Sequence, residues 1–253
     1  MIKNILVYVS VVMTIFFINP IHAEKLSPDD AYNSGVIFEL SKDIEHSVKW
    51  FTIAADQGHT EAQYRLGDLY FRGDDIEQDY TLALKWYLMA AEQGHDSAQM
   101  GVGSIYVNGL GIDQDFKQAN YWLTRSANQG NAYAQYNLGI IYDNGYGVDI
   151  DRSQAFKWYK RAAESGISQA QFNVGMFYAR GEAVEQDGVK AYIWISKAAG
   201  QGLQIAMSAK IDLGLILTPA ELALAESGGV DRPELSGPGI NSPEFKSVPI
   251  PSD

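Results

Sequence analysis

Residues 134–166 read AQYNLGIIYDNGYGVDIDRSQAFKWYKRAAESG. In the second half, Ala155, Trp158, Tyr159, Ala162 and Ala163 fall at i, i+3, i+4, i+7 and i+8, one face of an α-helix. An earlier copy repeats the spacing as Ala83, Trp86, Tyr87, Ala90 and Ala91. The first half has the same period: its counterpart from Ala62 places Ala62, Leu66, Leu69 and Tyr70 on one stripe. Strand alternation fits neither half. The stretch therefore predicts two helices of about 13 residues, each about 20 Å long, joined by a loop of roughly six residues.

The unit recurs. The five tryptophans, Trp50, Trp86, Trp122, Trp158 and Trp194, stand 36 residues apart. The first-helix block recurs from Ala62, Ala98, Ala134 and Ala170. Thr60, Asp96 and Ser168 precede Gln63, Gln99 and Gln171 by three residues, the spacing of a capping box; the third copy has Ala132 there, so its cap is either weaker or supplied by Asn131. Asp79, Asp115, Asp151 and Asp187 stand where the second helix begins. Gly73, Gly109, Gly145 and Gly181 close the first helix, and Gly58, Gly94, Gly130, Gly166 and Gly202 the second. Gly67, Gly103, Gly139 and Gly175 lie inside the first helix, at a cost of roughly 1 kcal/mol each relative to Ala. Close approach of a neighbouring helix backbone would offset that cost. The tryptophans are then wedges between stacked helices. The fold class this predicts is all-α, a right-handed α/α solenoid with a 36-residue period.

The recurring A-x-x-x-L-G-x-x-Y-x-x-G, G-V-x-x-D and A-x-x-W-Y-x-x-A-A-x-x-G blocks resemble the Sel-1-like repeat family, relatives of tetratricopeptide arrays, over roughly residues 31–215. The resemblance implies a non-enzymatic module that binds another protein as adaptor, regulator or virulence-associated factor. Some periplasmic members of such a family act as immunity partners of toxins. Cysteine-rich relatives are associated with β-lactam hydrolysis, but this chain has no Cys. The repeats depart from the pattern at both ends. The first unit is short, and after Gly202 the pattern fades, with Met207 replacing Gln, Lys210 replacing Leu and Ile211 replacing Gly. Such ends suit caps.

Residues 1–23 read as a signal peptide: Lys3, an apolar run from Ile5 to Ile18, and Ile21-His22-Ala23 before Glu24. A retained membrane anchor is the alternative. The solenoid is expected over 24–226, with a capping helix at 218–226 behind Thr218, Pro219 and Glu221, and a disordered Pro/Gly/Ser-rich tail over 227–253. This organisation predicts a periplasmic or secreted protein with no stable membrane insertion after the signal is removed. The formal charge is −12, which excludes general nucleic-acid binding; it suits a basic protein partner or serves solubility alone.

No converging catalytic set is present, and no cofactor is expected. His59 and His95 follow equivalent glycines and read as exposed turn residues rather than a metal pair. The acidic loops lack the Gly and Glu of a calcium loop. Neither G-K-S/T nor G-x-S-x-G occurs. The candidate site is the face of the first helices, where residues vary between copies: Arg65, Asp68, Arg72, Ser104, Asn108, Asn137, Ile140, Asn144, Asn173, Met176 and Arg180. Two alternatives stand beside it. One is a cell-wall-directed hydrolase of the β-lactamase-like repeat type. The other is recognition of a small ligand or glycan through Tyr64, Tyr136 and Tyr146.

Overall fold

The computed structural model describes residues 26–228. The expected signal segment at 1–23 and the tail from residue 229 onward lie outside the described residues. Among the described residues there are twelve α-helices and no strand. The helices are α1 Pro28–Leu40, α2 Ile44–Asp56, α3 Thr60–Arg72, α4 Tyr80–Glu92, α5 Asp96–Asn108, α6 Phe116–Asn128, α7 Ala132–Asn144, α8 Arg152–Glu164, α9 Ser168–Arg180, α10 Gly188–Gly200, α11 Gln204–Ile216 and α12 Pro219–Glu226. Consecutive helices pair and the pairs repeat every 36 residues, so the chain is an α/α solenoid. It divides into two compact units, the first holding α1–α5 and the second α6–α12.

The second helix of each repeat starts as the sequence requires. Asp79 Oδ1 accepts hydrogen bonds from the Thr81 and Leu82 amides at 2.9 Å, and Asp115, Asp151 and Asp187 do the same for their own first turns. The first helices end on left-handed glycines, Gly73, Gly109, Gly145 and Gly181, with φ between 63° and 73°. There a side chain would be strained.

The start of the first helix corrects the sequence reading. Thr60, Asp96 and Ser168 are the first helical residues, not the caps. The caps lie one residue earlier, at His59, His95, Asn131 and Ile167; the first two accept from Ala62 N and Ala98 N through their ring Nδ1. The glutamines do not turn back to close a capping box. They are buried and reach across to the preceding helix. Gln63 Nε2 donates to Ala55 O at 3.0 Å, Gln99 to Ala91 O at 3.0 Å, Gln135 to Ala127 O at 3.2 Å and Gln171 to Ala163 O at 3.2 Å. Each amide adds a second donor to a carbonyl in the last turn of the second helix, which also accepts from the amide of the turn glycine (Gly58, Gly94, Gly130 or Gly166).

The helix-interior glycines are explained by side chains more than by backbone. A Cβ on Gly67 would stand 2.4 Å from the Tyr87 ring, one on Gly139 2.4 Å from the Tyr159 ring, and one on Gly175 2.5 Å from Ile195. Backbone is the second neighbour only at Gly175, where Ala191 O would lie at 3.1 Å. Tyr87 and Tyr159 are buried. Burying such a ring gains roughly 1.5–3 kcal/mol, more than the roughly 1 kcal/mol that a helical Gly costs. The tryptophans are less central than their regularity suggests: Trp50, Trp86 and Trp122 are buried, Trp158 and Trp194 only partly. Cations lie over several of their rings, with Arg161 4.7 Å from Trp158 and Lys197 4.4 Å from Trp194.

The buried glutamines are tied onward by a second glutamine at the end of the following second helix. Gln93 Nε2 donates to Gln63 Oε1 at 2.7 Å in the first unit, and Gln201 Nε2 to Gln171 Oε1 at 2.8 Å in the second. The residue in this register beside Gln135 is Ser165, whose hydroxyl bonds its own helix at Arg161 O, and Gln135 Oε1 is buried with no hydrogen-bond partner. Ser165→Gln should restore the missing donor and stabilise the protein by about 1 kcal/mol, read as a melting temperature higher by about 2–4 °C for a protein this size. Unchanged or reduced stability would mean that the lone oxygen costs the fold nothing.

Candidate protein-binding face

In the first unit the expected face is largely self-paired. Arg65 forks between Glu39 Oε2 and Glu61 Oε1, both at 3.3 Å. Arg72 meets Asp68 at 3.1 Å. Burial first, then the nearby Asp68 charge, pushes the pKa of Tyr87 far above the usual phenol value. Asp68 thus stands between a buried tyrosine and a surface arginine. On α5, Ser104 Oγ donates to Met100 Sδ and Asn108 Nδ2 to Ser104 O, so these two form one polar turn.

Glu61 also faces His95, with Nε2 at 3.0 Å, while the His95 ring stacks on Tyr64 at 4.4 Å. His59 is built the same way, stacked on Tyr32 at 4.5 Å with Nε2 3.4 Å from Asp29. Both histidine side chains are 17% exposed. The expectation of exposed turn residues is therefore corrected. Each ring caps a helix with one nitrogen, meets a carboxylate with the other and packs its face on a tyrosine. Among the described residues there is no group of three His, Asp or Glu side chains placed to hold a metal.

In the second unit Asn144 Nδ2 donates to Ile140 O on α7, and Asn137 and Ile140 are half-buried on the same helix. On α9, Asn173, Met176 and Arg180 line one shallow depression with Asp143, Phe177 and Glu182. Met176 is 5% exposed and belongs to the core with Phe172, Val189 and Tyr192. The expectation that it is a surface residue is corrected: its thioether is drawn into the α9–α10 contact and only floors the depression. The buried Tyr159 hydroxyl lies near Asn173, the second case of a core tyrosine beside a residue of this face.

The sequence reading missed the charged members of this depression. Arg152 Nε lies 3.2 Å from Glu182 Oε2 and 3.8 Å from Asp143 Oδ1. Asp143 occupies the register of Phe71, and Arg152 that of Tyr80. In the first unit Phe71 and Tyr80 make an edge-to-face pair at 5.5 Å. The fourth repeat has thus exchanged an aromatic pair for an ion pair at the same place. The signal was present in the sequence as two positions that depart from the repeat together. Burial raises the Asp143 pKa; Arg152 lowers it, Glu182 raises it and Arg180 lowers it, and the net shift is upward. The tyrosines proposed for a glycan are engaged by the protein: Tyr64 stacks on His95, Tyr136 packs 5.9 Å from Tyr159, and Tyr146 stacks on Phe116 at 5.0 Å.

The model of the Sel1 repeat matches residues 25–59, 60–95, 96–131, 132–167 and 168–203. The chain belongs to the Sel1 repeat family. Proteins of this family serve in general as non-enzymatic scaffolds that bind other proteins. Among solved structures, a protective antigen present in uropathogenic Escherichia coli strains, with an SLR fold, is 33% identical with a TM-score of 0.75; the match covers 81% of this chain and 45% of that one. This chain therefore spans less than half of that antigen's length. A Sel1 repeat protein from Oxalobacter formigenes is 30% identical with a TM-score of 0.68, over 79% of this chain and 83% of that one. None of the curated proteins matches the chain.

The raised pKa of Asp143 sets a sign for pH dependence. A carboxyl that holds its proton more tightly folded than unfolded adds stability at acid pH. That contribution is lost as pH rises from the ordinary carboxylate range through the folded value. Asp143→Asn removes the charge, so its melting temperature relative to wild type should be higher at pH 7 than at pH 4. An offset that is equal at both pH values, or larger at pH 4, would show that Arg152 and Arg180 outweigh the burial of Asp143.

Proposed function

We propose that this Sel1 repeat protein is an exported, non-enzymatic module that holds a protein partner on the polar face of its first helices. The export part rests on the signal-like segment at 1–23, and the periplasm or the extracellular space is the compartment it implies. The family's general role supports protein binding. The observation that carries the choice of face is the depression between Asp143, Asn173, Arg180 and Glu182. Its Asp143 stands where other copies carry Phe71, Val107 and Ala179, and its Glu182 where they carry Asp74, Leu110 and Tyr146, while the surrounding core positions keep the repeat. A side chain that serves only packing repeats with the packing; one that serves recognition is free to differ.

On this reading the partner meets charged and amide groups already held in place. Asp68 is paired with Arg72, and Arg65 with two glutamates. Such preorganisation lowers the ordering cost of association. The net charge of −12 favours a basic partner through attraction at long range. Adaptor, regulator and toxin-neutralising inhibitor are the forms such binding takes, acting by scaffolding or by occlusion.

The test is capture from periplasmic extract with wild-type protein and with Arg65→Glu, Arg72→Glu and Arg180→Glu combined. At least one captured protein should fall by about tenfold or more in the variant, the size expected when residues central to an interface are reversed. Identical capture by both baits would remove the support for this face.

A further inference from the structure

Two histidines of the first unit make the same set of contacts. His59 caps α3 and His95 caps α5: the ring Nδ1 accepts from Ala62 N at 3.1 Å and from Ala98 N at 3.2 Å. Nε2 faces a carboxylate on the first helix of the preceding repeat, Asp29 on α1 at 3.4 Å and Glu61 on α3 at 3.0 Å. The ring face stacks on the tyrosine three residues beyond that carboxylate, Tyr32 or Tyr64. Two imidazoles thus join α1, α3 and α5 in series. In the later copies histidine and carboxylate vanish together. Where the cap is Asn131, Ile167 or Leu203, the carboxylate position holds Ser97, Tyr133 or Gln169. Asn131 still caps through Oδ1, while α9 and α11 start with no side-chain cap bond. A cap at this place is therefore not a condition of folding. What sets the two histidines apart from Asn131 is an acceptor that titrates.

A backbone N–H can only donate, so Nδ1 carries no proton and the neutral ring holds its hydrogen on Nε2, directed at the carboxylate. A second proton has one place to go, Nδ1, where it would stand against the Ala62 or Ala98 N–H. Charging the ring therefore removes the cap and sets a cation at the positive end of a helix. The Nε2–H keeps its carboxylate and gains an ion pair with it. Other charged groups stand around the two rings. Arg65 shares Glu61, with Nε 3.3 Å from Oε1, and lies with Glu61 and Glu39 near Tyr32. Asp96 begins α5, and Asp56 and Glu92 end α2 and α4 at exposed positions just before each histidine. The carboxylates favour a charged ring and Arg65 opposes it; none changes which nitrogen takes the proton.

We propose that His59 and His95 are acid-released latches: on protonation each ring lets go of its own helix and holds the preceding repeat more tightly. Acid then loosens the first turns of α3 and α5 and leaves those of α7, α9 and α11 unchanged. The cap bonds are present above the range in which an imidazole charges, about pH 6.5, and are lost as pH falls through it. The latches do not depend on what the polar face binds.

The experiment is an NMR titration of the whole protein, labelled with nitrogen-15 at histidine and alanine, from about pH 8 to about pH 5, which spans the imidazole range. At the alkaline end both rings should report the Nε2–H tautomer. As each ring charges, the amide signal of Ala62 or Ala98 should move with the same midpoint. Its protection from hydrogen exchange, corrected for the intrinsic pH dependence, should fall by about fivefold, the weight of an ordinary cap. Ala134, capped by Asn131, should show no such change. His95→Asn carries the cap that the third copy uses. It should keep wild-type helicity by circular dichroism and leave Ala98 insensitive to pH while Ala62 still responds. Alanine amides that keep their shift and protection while the rings titrate overturn the proposal, as do rings that stay neutral throughout. So does an Ala98 response that survives His95→Asn. If that variant does not fold, the wild-type titration alone decides.

Discussion

The contact between a helix-interior glycine and the ring of a second-helix tyrosine sets the geometry of this protein. At Gly67 and Gly139 the missing side chain is the space that Tyr87 and Tyr159 occupy. The glycine weakens its own helix and the buried ring more than compensates, so neither residue makes sense alone. Because the contact recurs at a fixed spacing, it fixes the register of everything around it. The amide of each buried glutamine then reaches the last turn of the preceding helix. The tyrosine hydroxyls also lie near Asp68 and Asn173 of the polar face. The packing device and the candidate binding face are joined through one residue type.

Much of this was legible in the sequence, because repetition supplies its own alignment. Helix lengths, the aspartate caps and the left-handed glycines followed from residue type and spacing. What was misread was direction. Gln63 stands three residues after Thr60, and local spacing pointed to a box closed on the same helix end. The side chain instead donates to a carbonyl eight residues earlier, a choice set by burial that local spacing does not contain. His59 and His95 looked like turn residues because their partners, Tyr32 and Tyr64, lie in other segments of the chain.

The candidate site was legible in part. The rule that positions varying between copies form the candidate face led to Asn173 and Arg180, and it applies equally to Asp143 and Arg152. Those two were passed over because one begins a helix and the other ends a core stripe, positions assigned to structure. Their joint departure is intelligible only when Phe71 and Tyr80 are seen in contact. Met176 shows the converse limit. Its spacing placed it on the polar face, while its apolar side chain is taken into the α9–α10 core.

The central claim is that the interior glycines Gly67 and Gly139 are there to seat a ring and not to loosen a helix. Thermal unfolding of Gly139→Ala beside Gly200→Ala tests it directly. At Gly139 a Cβ would stand 2.4 Å from Tyr159, whereas at Gly200 nothing lies within 4 Å. Helix propensity alone would stabilise both variants by up to about 1 kcal/mol. The account predicts opposite signs: Gly200→Ala gains stability, and Gly139→Ala loses about 1–3 kcal/mol through overpacking. A Gly139→Ala protein as stable as Gly200→Ala would contradict it.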